Sequence, residues 1–261
     1  MSEAGWGQHH DFVSALWSGT PQIGLWQALA TPYTAEVCAS AGFDWLLFDG
    51  EHAPNTLATM LGQLQAVSAF PVEPVVRPAI ADPVWIKQYL DLGFRTLLLP
   101  MVDTAEQAAA LVAATRFPPL GTRGVASSTS RASGFGASID YLATAHETVT
   151  VVVQIESALA LANVGEIAAV PGVDGVFIGP GDLSAALGHL GNPGHPEVRA
   201  AIEGALPAIA DAGCFAGIFA SGPADAEHWL SLGVTMVSVG SDIALLARSA
   251  RDLAAHPYPG R

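Results

Sequence analysis

The sequence predicts a single-domain α/β fold over 1–261, a (β/α)8 (TIM) barrel, and three observations favour it. Short apolar runs of strand length alternate with segments of helical spacing, and eight such pairs follow one another. Four helix-to-strand corners share one pattern, in which a glycine precedes the next strand: Gly42, Gly93, Gly213 and Gly233. The chain has 261 residues, 51% of them hydrophobic, which suits the roughly 250 residues of one such barrel.

The apolar runs place the strands at 22–26, 44–48, 72–77, 96–100, 149–155, 173–178, 215–219 and 235–239. Their length and their content of branched and aromatic residues are typical of buried parallel strands. Helical spacing predicts helices at 33–40, 56–67, 83–92, 105–115, 158–168, 196–212, 224–232 and 242–254.

One connection, 117–147, is much longer than the others. It carries two prolines, a run of serines and threonines, and the arginines Arg123 and Arg131. A segment of this length in a compact domain usually covers an active site or contacts another subunit. We predict a lid or a subunit contact, with a mobile loop as the alternative.

Composition excludes several classes of partner. The net charge of −14 and the pI near 4.7 argue against nucleic acid and anionic membranes, which require clustered Lys and Arg. Two cysteines, Cys38 and Cys214, are too few for a disulfide framework and are expected in the core. No secretory signal or membrane-spanning run is recognisable, so a cytoplasmic location is expected.

Titratable residues follow the second predicted strand directly, at Asp49, Glu51 and His52. In a barrel of this kind, the loops after the strands meet at one opening, here called the mouth, where catalytic residues lie. Other strand ends bring further polar groups to the predicted mouth: Gln27, Arg77, Gln154, Glu156 and the loop 179–182. The alternative for the stretch at 49–52 is a strand that simply ends where a helix begins.

Two acidic residues of neighbouring strand ends, Glu156 and Asp182, suggest a site for a hard divalent cation such as Mg²⁺, Mn²⁺ or Co²⁺. The alternative is that each carboxylate caps the helix that follows it. The Gly-Pro-Gly sequence before Asp182 leaves backbone amides available to a small carboxylate.

The cationic residues limit the reaction mechanisms that the predicted site could use. Arg77 ends a valine-rich strand, so it is expected to be buried and to pair with an oxyanion. Lys87 is the single lysine of the chain and belongs to the predicted helix 83–92, which argues against a Schiff-base mechanism. The scarcity of lysine also argues against a binding site for the phosphates of coenzyme A or of a nucleotide.

Six motifs occur in the order QIGLW (22–26), DGEHAPN (49–55), VRP (76–78), GTRG (121–124), QIE (154–156) and FIGPGDLS (177–184). Together they resemble the HpcH/HpaI aldolase family, class II pyruvate aldolases that include 4-hydroxy-2-oxoheptanedioate aldolase and 2-dehydro-3-deoxyglucarate aldolase. The resemblance covers most of the chain.

The resemblance implies a metal held by Glu156 and Asp182, with pyruvate bound by that metal, by Gln154, and by the backbone at Gly181 and Asp182. It also implies that Arg77 stabilises the transition state and that His52 is the acid or base. Trp26 is taken as a further substrate contact.

In the family an aspartate supports the histidine, and Asp91 matches that position. Because Asp91 is predicted at the end of a helix, on the opposite face of the barrel from His52, it would have to act from a neighbouring subunit. Asp49 is the local alternative. Family members typically form hexamers, so the resemblance implies a homo-oligomer.

Two positions depart from the family pattern, with Gly181 in place of Ala and Phe219 in place of Leu. Both face the substrate in the family, so donor or acceptor preference is expected to differ. The predicted function is a metal-dependent aldolase that joins or separates a 2-oxo acid, such as pyruvate or hydroxypyruvate, and an aldehyde through an enolate.

Three alternatives remain open. The first is a coenzyme A thioester lyase of the citrate-lyase type. The second is an isomerase or lyase whose phosphate cup follows strands seven and eight, at Gly217, Ser221, Gly222, Gly240 and Ser241. The third is a non-enzymatic scaffold.

Overall fold

A computed structural model describes residues 4–257 and confirms the (β/α)8 fold. Its eight strands are all parallel to their neighbours and close in chain order. β1 and β8 complete the barrel, with Gln22 opposite Met236. The strands are β1 Gln22–Gln27, β2 Trp45–Asp49, β3 Glu73–Arg77, β4 Thr96–Leu99, β5 Thr150–Ile155, β6 Gly175–Ile178, β7 Phe215–Phe219 and β8 Met236–Ser241.

Helices surround this barrel at the predicted places. They are α1 Ala4–Trp17, α2 Pro32–Ala39, α3 Leu57–Val67, α4 Pro83–Leu92, α5 Ala105–Thr115, α6 Tyr141–Thr144, α7 Ala158–Ala162, α8 Val164–Ala168, α9 Pro180–Ala186, α10 Pro196–Asp211, α11 Pro223–Ser231 and α12 Asp242–Ala255. A 3₁₀ turn follows α6 at Ala145–Thr148. None of the described helices is long and apolar enough to cross a membrane.

Two differences from the sequence prediction have local causes, and a third concerns helices that were not expected. The helix predicted at 158–168 is two helices, interrupted at Asn163, whose side-chain amide donates to the carbonyl of Asp103 at 2.8 Å. The loop predicted at 179–182 is instead the start of α9, because Pro180 suits the first helical position. α1 and α6 were not predicted at all.

Two apolar clusters form the core of the barrel, and a third, small one is formed by Phe117, Tyr141 and Ala145 of the long connection. Of the first two, one lies between the sheet and the helices, and the other fills the barrel interior, where Trp45 is fully buried. Gly24 makes room for that indole, since a Cβ atom at this position would overlap it. From α1, Phe12 and Leu16 enter the same interior cluster, so this helix closes the N-terminal end of the barrel. The opposite end remains open as the mouth.

The long connection lies at the N-terminal end of the barrel. Arg131 Nη1 donates to the carbonyl of Leu92 at 2.9 Å, and the amide of Ala132 donates to the carbonyl of Asp91 at 3.2 Å. Within one chain the segment therefore packs on the end of α4 and not over the chain's own mouth. Its role as a lid or a subunit contact stays a prediction.

The two cysteines are free and partly buried beside the outer cluster. Gln27, expected at the mouth, is fully buried, and its side-chain Nε2 donates to the carbonyl of Trp26 at 3.4 Å on the side of Cys38 and α2. This expectation was wrong because the side chains of a strand alternate between its two faces, and Trp26 takes the interior side.

Candidate active site

A cavity of about 430 Å³ opens at the mouth. It brings together most of the residues predicted for the site: Trp26, Asp49, His52, Arg77, Gln154, Gly181, Asp182 and Phe219. Glu156 is buried and hydrogen-bonded to Gln154. Asp91 is the one predicted site residue that lies elsewhere in the chain. The strand ends thus converge as the barrel prediction requires.

Arg77, at the end of β3, is buried and surrounded by carboxylates. Its Nε and Nη2 atoms donate to the two carboxylate oxygens of Asp49 at 2.9 and 2.7 Å. Its Nη1 lies 2.9 Å from Glu51 Oε2, an ion pair that lacks hydrogen-bond geometry. The guanidinium carbon is 5.3 Å from the ring centre of Trp26, whose face also attracts a cation. Position and orientation of the guanidinium are therefore fixed.

Asp49 organises the loop after β2 as well as Arg77. Its Oδ1 accepts the backbone amide hydrogens of Glu51 at 2.9 Å and of His52 at 3.4 Å. Burial works to raise the pKa of Asp49, but the hydrogen bond and charge of Arg77, with these two amides, hold it below its usual range. Asp49 is thus a permanent anion at neutral pH.

His52 extends from this loop into solvent, with 68% of its side chain exposed. Its Nε2 lies 3.8 Å from Glu51 Oε2, so Glu51 is the carboxylate that approaches the ring within one chain. Burial raises the pKa of Glu51, the charges of Arg77 and His52 oppose that rise, and Asp49 and Asp182 add to it. Glu51 stands in the same acidic motif but was not among the residues predicted to act in catalysis or binding.

Glu156 follows β5 and is almost wholly buried. Its Oε2 accepts a hydrogen bond from Gln154 Nε2 at 2.6 Å, and its Oε1 accepts one from the amide of Met101 at 2.9 Å. Met101 has a left-handed backbone with φ of 55°, which aims this amide at the carboxylate. Burial raises the pKa of Glu156 to about 7; the Met101 amide opposes the rise, and Glu51 adds to it.

The charges at the mouth do not balance. Asp49, Glu51, Glu156 and Asp182 lie close enough for their charges to interact, and among residues 4–257 Arg77 is the one permanent cation paired with this group. Within the same residues, Glu156 forms no ion pair, and the buried Oε1 of Gln154 has no hydrogen-bond partner. An all-oxygen set with surplus negative charge fits a hard divalent cation.

Comparison with known proteins identifies the family. A family model described as HpcH/HpaI aldolase/citrate lyase matches residues 22–249. The chain belongs to the HpcH/HpaI aldolase/citrate lyase family. It is 62% identical over 244 residues to a hydroxypyruvate/pyruvate aldolase of Deinococcus radiodurans, covering 94% of this chain and 88% of the relative.

Further relatives agree with this assignment. A 4-hydroxy-2-oxo-heptane-1,7-dioate aldolase of Salmonella dublin is 55% identical, over 94% of this chain and 93% of the relative. A crystal structure of an HpcH/HpaI aldolase/citrate lyase family protein from Burkholderia cenocepacia superposes with a TM-score of 0.90 at 43% identity, covering 94% of this chain and 97% of that one. The match therefore spans nearly the whole barrel.

Asp91, which the HpcH/HpaI resemblance assigns to the support of His52, lies on α4 outside the mouth. Its carboxylate pairs with Arg123 Nη2 at 2.7 Å. Arg123 is 2% exposed and stacks on Phe117, with 4.4 Å between its guanidinium carbon and the ring centre. Inside one chain, Asp91 therefore serves to neutralise a buried arginine.

In the phosphate cup considered for strands seven and eight, polar groups of both serines already have partners within the chain. The amide of Ser221 donates to Asp225 Oδ2 at 2.9 Å, and Ser241 Oγ accepts from the amide of Ala244. Buried Asp242 takes the amide hydrogens of Ala28 and Leu29 at 2.8 and 3.1 Å, which adds a negative charge at this edge. The phosphate-binding alternative is therefore disfavoured.

Proposed function

We propose that this protein is a divalent-metal-dependent aldolase that reversibly joins a 2-oxo acid of the pyruvate type to an aldehyde. One observation supports this most directly: a buried, carboxylate-fixed arginine shares the mouth with acidic side chains that lack a balancing cation. Pyruvate or hydroxypyruvate is the proposed donor, because the relative at 62% identity is named for both.

Glu156 and Asp182 are the proposed metal ligands, with Mg²⁺, Mn²⁺ or Co²⁺ as the cation. When bound, such a cation supplies Lewis-acid polarisation of the donor's keto and carboxylate oxygens. Gln154 holds Glu156 in place and keeps a buried oxygen available at the site. The amides of Gly181 and Asp182 lie in the first turn of α9, where helical amides lack internal partners, and are proposed to bind the donor carboxylate.

Arg77 supplies positive charge where the donor becomes an enolate. Asp49 and Glu51 fix the guanidinium before substrate arrives, so little reorganisation is needed as negative charge develops. We propose that His52, whose ring is exposed to solvent, exchanges a proton with the aldehyde or hydroxyl oxygen of the acceptor. Phe219 and Trp26, whose ring centres are 5.3 Å apart, form an apolar wall of the same cavity.

Exchange of the methyl protons of pyruvate in D2O, without any aldehyde, tests the proposed enolate chemistry. We expect exchange with Mn²⁺ or Mg²⁺ and none in excess EDTA. Glu156→Gln and Asp182→Asn should bind metal weakly and exchange slowly while remaining folded. Full exchange in EDTA, or unaltered metal affinity in both variants, would contradict the metal-dependent mechanism.

The coenzyme A thioester lyase is not favoured. Relatives at 55–62% identity carry aldolase names. Lys87, the single lysine, lies on α4 and approaches Gly124 instead of the mouth. Residues 4–257 thus offer the mouth no ammonium group for a phosphate or a Schiff base.

A homo-oligomer, hexameric as the family resemblance implies, and a cytoplasmic location are further parts of the proposal. Apolar side chains beside the mouth support assembly, since Ile80 is 58% and Met101 52% exposed along one groove. Assembly would also allow Asp91 of one subunit to approach His52 of another. Size-exclusion chromatography with light scattering tests the oligomeric state.

A further inference from the structure

A cluster of imidazole and carboxylate groups lies outside the mouth, where α9 leads into α10. His189 Nε2 is 2.7 Å from Glu197 Oε2. The rings of His189 and His195 stack, with 3.6 Å between ring centres and 14° between ring planes. Among the side chains that the structure describes, these three form a group in which one ligand atom of each lies within 4.8 Å of the others.

We propose that His189, His195 and Glu197 form a second metal site, for a borderline transition-metal ion such as Zn²⁺, Ni²⁺ or Cu²⁺. Two imidazole nitrogens and one carboxylate oxygen suit these ions better than Mg²⁺ or Mn²⁺. The mouth offers oxygen ligands, so the two sites select different metals. Neither the family resemblance nor the proposed aldol reaction requires this second site.

The ligand atoms lie close together, but the stacked rings must rotate before both can bind one ion. On a tetrahedral zinc with bonds of about 2.0–2.1 Å, neighbouring ligand atoms lie about 3.3 Å apart. The 2.7 Å contact between His189 and Glu197 would open slightly, and the stacked rings would turn towards a shared point. His189 is partly exposed and Glu197 is largely exposed, so these side chains can rotate and an ion can reach them from solvent.

A second histidine distinguishes this cluster from an ordinary surface ion pair. His228 and Glu203 form a comparable pair at 3.0 Å between α11 and α10, without a stacked second imidazole. That pair offers two ligand atoms and is the matched control. The weak hydrogen bond from the Glu197 amide to His195 Nδ1, 3.3 Å long, leaves the other ring nitrogen of His195 available.

The proposed site is connected to the mouth through one short loop. α9 carries Gly181 and Asp182, the loop 187–195 follows it, and Pro193 of that loop lines the mouth cavity. A metal that joins His189 to His195 would tie the two ends of this loop together. The second ion would thereby restrict the motion of Pro193 at the cavity wall.

Zinc titration tests the site in protein carrying Glu156→Gln and Asp182→Asn, which removes the proposed mouth ligands. Competition with a chromophoric chelator should show one Zn²⁺ bound per chain. We expect His189→Gln and His195→Gln each to weaken binding at least tenfold, and His228→Gln to leave it unchanged. X-ray absorption at the zinc edge should show two imidazole ligands.

Unchanged zinc affinity in His189→Gln and His195→Gln, or a zinc spectrum without paired imidazoles, would overturn the proposal. Circular dichroism and thermal melting establish that each variant is folded. If His195→Gln fails to fold because His195 caps α10, His189→Gln still decides the outcome, since its ring pairs with an exposed glutamate. Zinc bound equally well at millimolar Mg²⁺ would confirm the expected selectivity.

Discussion

Arg77 and Asp49 form a two-pronged ion pair at the ends of neighbouring strands. Nε and Nη2 of the arginine reach separate oxygens of the aspartate at 2.9 and 2.7 Å, and both side chains are buried. The two residues are register partners across β2 and β3, so barrel pairing itself brings them together. This fork fixes the guanidinium in the orientation that the proposed enolate chemistry requires.

Asp49→Asn should lower kcat by about tenfold to a hundredfold. An amide cannot accept both hydrogen bonds from Arg77, so the guanidinium should move. KM for the 2-oxo acid should change less, since Glu51 retains a second contact to Arg77. Steady-state kinetics measure both constants. The control is Asp44→Asn, which precedes the same strand at the opposite end of the barrel and should leave kcat unaltered.

His52→Ala and Arg77→Ala should fail at different steps. Loss of Arg77 should impair both donor binding and proton exchange, because its charge acts before and during enolate formation. Loss of His52 should impair condensation and cleavage more than exchange, because its ring is proposed to exchange a proton with the acceptor. NMR measures the proton exchange, and a coupled assay measures aldol cleavage. Equal losses in both assays would refute this division.

Glu156→Gln should stabilise the metal-free protein at pH 8. The folded pKa of Glu156 is raised from 4.5 to about 7, so the folded state holds its proton more tightly than the unfolded state does. The free energy of unfolding therefore falls as pH rises from about 4.5 to 7, by on the order of 3 kcal/mol.

Thermal melting in EDTA at pH 4.5 and pH 8 measures this cost. Glutamine should raise Tm at pH 8 and have little effect at pH 4.5, where the wild-type side chain is protonated. Mn²⁺ should raise Tm of the wild type and not of the variant. A variant less stable than the wild type at pH 8 would show that Glu156 contributes structurally.

Asp91→Asn should destabilise the fold by about 3 kcal/mol, because it leaves Arg123 buried without its charge partner. The double variant Asp91→Asn, Arg123→Met should recover stability, since it removes the unpaired charge. Denaturant unfolding measures both. If Asp91 also supports His52 of a neighbouring subunit, the double variant should regain stability but keep a low kcat. Dilution of the wild type to monomer should lower its activity in the same way. Full activity in the double variant would mean that His52 is supported from within its own chain.

Phe219→Leu should widen the range of accepted aldehydes and cost about 1 kcal/mol of stability, because the ring is only partly buried and packs against Trp26. Relative rates across short and long aldehydes, together with Tm, measure the two effects. Phe215→Leu, at the other end of β7 and packed on Trp17, is the control and should alter stability alone. If the relative rates with different aldehydes are unchanged in Phe219→Leu, Phe219 contributes to packing and not to substrate selection.

The sequence was sufficient for the fold and for the strand ends that form the mouth. Apolar runs, glycine corners and polar residues just after the strands are local signals. Each can be recognised from a short stretch of sequence without knowledge of the rest of the chain. Asp49, His52 and Arg77 could be assigned to one opening because the strands are parallel, so residues that follow their C-terminal ends share one end of the barrel. The boundaries of α7, α8 and α9 depended on Asn163 and Pro180, whose local effect was underestimated.

The tertiary structure alone decided which side chains contact one another. Glu51 approaches His52, Asp91 pairs with Arg123, and Gln27 turns towards Cys38. All three outcomes depend on side-chain direction, and the contact between Asp91 and Arg123 also requires the fold to bring together residues that are distant in sequence. A linear pattern records the type and spacing of residues, whereas pairing, burial and the resulting pKa shifts depend on where the folded backbone places them.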